Sequence, residues 1–104
     1  MTLNPQIGTL QIARELQELE QTLADALQRA SNLTATMTRV RIETGHDIAV
    51  GHEPLMRATK LQGTLLTACA EAARVHSSAR RIGRELGYLD EQCPPSKAAL
   101  REVA

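Results

Sequence analysis

The chain has 104 residues, 12 basic and 12 acidic side chains, zero formal net charge, no Trp, no Phe and one Tyr. A neutral chain lacks the basic excess of a typical nucleic-acid or polybasic membrane binder. Its 42% hydrophobic content, mostly Ala and Leu, is too high for obligate disorder, and it is too poor in aromatic and β-branched residues for a sandwich or barrel.

In chain order, Met1 to Gly8 carries neither a basic leader nor a sustained apolar run, so the sequence predicts no signal peptide. No later run approaches the length of a membrane span. The two cysteines, Cys69 and Cys93, form no Cys-x-x-Cys motif and cannot build a disulfide scaffold. The reading is a reduced, cytoplasmic protein, with Cys69 packed as a small hydrophobe and Cys93 free in a tail.

Asn4-Pro5 opens the first predicted helix, over about 5–44: Asn accepts from free N–H groups, and Pro fits the first helical position. Ile12, Leu16, Leu19, Leu23, Ala26, Ala30, Leu33, Met37 and Val40 then alternate in steps of four and three. That spacing is a heptad seam, which requires a helix. Gly45 is the expected C-terminal cap. After a loop over about 45–53, Pro54 starts a second helix, over about 54–86, that Gly87 ends. Its seam is Ala58, Leu61, Leu65, Ala68, Ala72, Val75, Ala79, Ile82 and Leu86, with Gly63 and Gly83 placed off it.

So short a loop folds the helices into an antiparallel hairpin, giving an all-α fold in a single domain. Matching the seams pairs Ile12 with Leu86, Leu19 with Ala79, Leu33 with Leu65 and Val40 with Ala58. The same register sets Glu15, Glu18 and Glu20 against Arg80, Arg81 and Arg84, and Asp25 and Glu71 near Arg74 and Arg29. One Leu/Ala seam buries little apolar area against the entropy of ordering two long helices. A homodimeric four-helix bundle is the simplest remedy, and Leu10, Leu27, Leu66, Cys69 and Ala73 are the expected interface residues beside the seam.

Two clusters carry chemistry. Arg39, Arg41, Arg57 and Lys60 gather near the loop, where they could contact phosphates or meet Glu15, Glu18 and Glu20 of a second, antiparallel copy. His46, Asp47, His52 and Glu53 concentrate metal-ligand types in the loop, although Asp47 and Glu53 suit helix caps and His46 suits a helix C-terminus. Their spacing matches no metal signature, and no cofactor is expected. His76 sits beside the seam without an identifiable catalytic partner, and there is no Glu-x-x-His pair, phosphate loop or nucleophile elbow. The tail over 87–104 breaks the heptad at Pro94-Pro95, after which Ser96 could cap a short helix over about 96–103.

These observations favour a non-enzymatic helical hairpin that dimerises and works through protein–protein contacts, as an adaptor, a chaperone-like partner or an assembly component. The alternatives are a nucleic-acid-binding dimer using the loop-proximal basic cluster, and a metal- or small-ligand-binding bundle.

Overall fold

A computed structural model describes residues 5–87 of the protein; the expected short helix over 96–103 and Cys93 lie outside the described residues. Two helices, α1 (Pro5–Glu43) and α2 (His52–Glu85), pack against each other as a helical hairpin, with no strand among the described residues. Helix α2 starts two residues before Pro54, so Pro54 still falls in the first turn, where its missing N–H leaves no helical bond unmade.

Both expected glycine caps are present. Gly45 (φ 66°) donates its N–H to the Ile42 carbonyl at 3.2 Å, and Gly87 (φ 74°) donates to the Arg84 carbonyl at 3.1 Å. These are left-handed positions at which a Cβ would be strained. Between the helices Asp47 organises the loop. Its Oδ1 accepts from the Ala49 N–H at 3.1 Å, and its carbonyl accepts from the Val50 N–H at 2.9 Å.

The chain divides into two compact units. The loop-end unit is Thr22–Cys69; the open-end unit joins Met1–Gln21 to Ala70–Ala104, and its described part is residues 5–21 and 70–87. In both units one heptad row lies inward as the sequence predicts. Leu16, Ala30, Ala58 and Ala72 are buried, and Leu23, Met37, Leu65 and Ala79 are half-buried.

The second row differs from the sequence expectation. Ile12, Leu19, Leu33 and Val40 on α1 are exposed, as are Leu61, Val75 and Ile82 on α2; Leu86, the last member of the shared row, is exposed as well. In their place the adjacent row turns inward: Glu20, Leu27, Thr34 and Arg41 on α1, with Leu55, Gln62, Cys69 and His76 on α2, are half-buried, and Gly83 is buried. Gly83 therefore lies in the seam, contrary to its expected place, whereas Gly63 is exposed as expected. The physical reason lies in helix geometry. At 100° per residue, the row three positions on lies about 60° to one side of the shared row, and the row four positions on about 40° to the other. Apolar periodicity selects the first; the packed hairpin uses the second.

Candidate interaction surface

The inward row carries polar side chains among its apolar ones, and several of these hydrogen-bond across the hairpin. In the loop-end unit Gln62 Nε2 donates to Ser31 Oγ at 3.0 Å, while Thr34 Oγ1 lies 3.2 Å from Gln62 Oε1. Ser31 in turn donates to the Leu27 carbonyl at 2.9 Å. Gln62 thus clasps α1 through both ends of its amide, which lets a seam position hold a polar side chain without an unmet group. In the open-end unit Glu20 Oε1 approaches His76 Nδ1 at 3.2 Å, with both side chains about three-quarters buried.

Burying this row leaves the apolar row beside the seam. Both helices run antiparallel and bury the same two heptad rows, so their displaced apolar rows flank the seam on one side. This is the side away from the Gln62 clasp. In the loop-end unit that face carries Leu33, Val40 and Leu61, with the half-buried Ala26 and Ala68 between them. In the open-end unit it carries Ile12, Leu19, Val75 and Ile82. Each of the seven larger residues is 45–57% exposed, which is the state of a face bordered by one neighbour and lacking a second.

The interface residues expected from the sequence do not form one patch. Leu27 and Cys69 are half-buried members of the seam row, and Ala73 is half-buried. Leu10 and Leu66 are exposed at 66% and 55%, but they stand singly, one in each unit. Gln62, Ser31 and Thr34 are the residues that sequence reasoning missed. Thr34 shares heptad spacing with Leu27, and Gln62 with Cys69 and His76, a signal that an apolar count discards; Ser31 lies off that row.

The basic cluster near the loop is partly neutralised. Arg39 Nη1 lies 3.4 Å from Glu43, and Arg57 Nη2 lies 3.7 Å from Glu53, each pair one helical turn apart. Arg41 is half-buried and lines an open groove of about 370 Å³ with Met37, Val40, Val50, Pro54 and Leu55, and Lys60 is exposed. The mid-hairpin charges also resolve within helices: Arg29 binds Asp25 at 3.0 Å, and Arg74 binds Glu71 at 2.7 Å. Glu20, expected to face arginines, reaches His76 instead. The four loop ligand types do not converge. Asp47 shapes the turn and Glu53 pairs with Arg57, while His46 and His52 are exposed. Among the described residues no three His, Cys, Asp or Glu side chains stand close enough to hold a metal ion. No described helix is long and apolar enough to cross a membrane.

The chain matches no protein-family model, no curated protein and no solved structure.

Proposed function

We propose that this chain is a non-enzymatic helical hairpin that acts through protein–protein contact, as an adaptor or assembly component in a reducing, cytoplasmic setting. The observation carrying this reading is that each unit leaves apolar side chains half-exposed beside its seam, Leu33, Val40 and Leu61 in the loop-end unit and Ile12, Leu19, Val75 and Ile82 in the open-end unit. Helix faces of this kind dock against other helices through side chains spaced by whole heptads. In the loop-end unit the Gln62 clasp supports the adjacent row turning inward, which leaves this row free to do so. The basic residues support a nucleic-acid reading less well, because Arg39 and Arg57 already face carboxylates and no aromatic side chain stands among them for base stacking.

The test is site-specific photo-cross-linking in cells, with a photoreactive residue at Leu33 or at Leu61 and a control at the exposed Gln28. The expected result is a cross-linked protein band from Leu33 and Leu61 that the control lacks. Cross-linking to nucleic acid, or to nothing, overturns the reading.

A further inference from the structure

The half-exposed residues of the loop-end unit lead into the groove that Arg41 lines, and every residue of that groove belongs to this one unit. Val40 is common to both. It is 45% exposed in its row with Leu33, and it forms groove wall with Met37, Val50, Pro54 and Leu55. A surface of this composition takes apolar side chains. The arginine on it stands apart from the others of the unit. The unit contains four carboxylates, and each is already engaged. Asp25 holds Arg29, Glu43 holds Arg39 and Glu53 holds Arg57, while Asp47 accepts from the Ala49 N–H. Among the described residues none pairs with the Arg41 guanidinium, although Arg41 is half-buried and the three paired arginines are exposed. Lys60 is also left over, but it is exposed and lies off the groove.

A guanidinium binds a carboxylate through two N–H donors at once, and partial removal from water strengthens that bond. An apolar groove beside an uncommitted, half-buried arginine therefore matches an occupant that is apolar and carries one carboxylate. The groove is open, so a free aliphatic acid in it would stay largely in water. A protein segment covers the same groove from outside with the rest of its own fold. Given the protein-contact reading above, we infer that the loop-end groove seats a segment of a partner protein in which an Asp or Glu stands beside apolar side chains. The carboxylate meets Arg41, and the apolar side chains lie against Met37, Val50 and Leu55.

The test places p-benzoylphenylalanine at Val50 of the full chain in cells and identifies the attached segment by mass spectrometry. The expected result is a protein band whose attached segment carries an Asp or Glu within about one helical turn of the cross-link. Arg41→Glu should cut the yield about 10-fold or more, and Arg41→Gln should cut it by less. Lys60→Gln should leave it unchanged. Circular dichroism of each variant separates a folding defect from a lost contact. Exchanging the partner's carboxylate for arginine should restore the band with Arg41→Glu. A segment without a carboxylate overturns the inference, as does a yield that Arg41→Glu leaves unchanged or that the charge exchange fails to restore. A cross-link to lipid alone overturns it too. Bands from Leu33 and Leu61 with none from Val50 overturn only this inference, whereas no band from any of the three overturns the protein-contact reading with it.

Discussion

The two ends of the hairpin fill the same inward row with different chemistry. In the loop-end unit the row holds Leu27, Thr34, Arg41, Leu55, Gln62 and Cys69, and the hydrogen bonds that cross between the helices there join the neutral groups of Gln62, Ser31 and Thr34. The surrounding hydroxyls of Thr38, Thr59, Thr64 and Thr67 each return to the carbonyl four residues back, so this unit satisfies its polar groups locally. In the open-end unit the row holds Glu20, His76 and Gly83. One ionisable pair and one glycine do there what a neutral network does near the loop. The rotation of the seam is therefore common to both units and depends on no single pair. What differs is how each unit fills the row.

Four substitutions would break or sharpen this contrast, each followed by urea unfolding at low protein concentration so that association does not enter the stability. The largest effect belongs to the shared row. Leu16→Ala removes the one large buried side chain among the described residues and should cost about 2–4 kcal/mol, whereas Leu19→Ala, half-exposed, should cost about 1 kcal/mol or less. Equal losses would mean that Leu19 is also in the seam. Next, Gln62→Ala strips the clasp from both Ser31 and Thr34 and should cost about 1–2 kcal/mol. Glu20→Ala breaks a single contact and should cost about 1 kcal/mol, so a larger loss at Glu20 than at Gln62 would reverse the ranking of the two ends.

Smaller effects lie at the loop and the surface. Gly45→Ala meets no atom within 4 Å, so its expected cost of about 1 kcal/mol comes from the left-handed backbone alone. Arg39→Ala removes an exposed pair and should change stability by less than about 0.5 kcal/mol. A large loss there would give the loop-end charges a structural part they do not have in this account.

Much of the fold is legible in the sequence, for reasons visible at particular residues. Pro5, Gly45, Pro54 and Gly87 punctuate two helices because each has a backbone restriction or freedom that few other residues share. The row of Leu16, Ala30, Ala58 and Ala72 is found by period alone. The choice between its two neighbouring rows is not, because periodicity ranks rows by apolar content. It cannot register that Gln62 meets Ser31 and Thr34 across the hairpin, since those partners are separated by about thirty residues. The candidate face was misplaced for the same reason. One row assigned to the seam, with Ile12, Leu19, Leu33 and Val40 on α1, is the exposed one, and two residues assigned to the outer interface, Leu27 and Cys69, are half-buried in the seam.

The central claim is that Thr34, and not Leu33, belongs to the hairpin's own seam. Nuclear Overhauser contacts from the methyl groups of the labelled chain read this directly. The account predicts a contact between the Thr34 methyl and the Gln62 side chain, and none between the Leu33 methyls and Gln62. A Thr34 methyl without contact to Gln62, together with Leu33 methyls that make that contact, would contradict it.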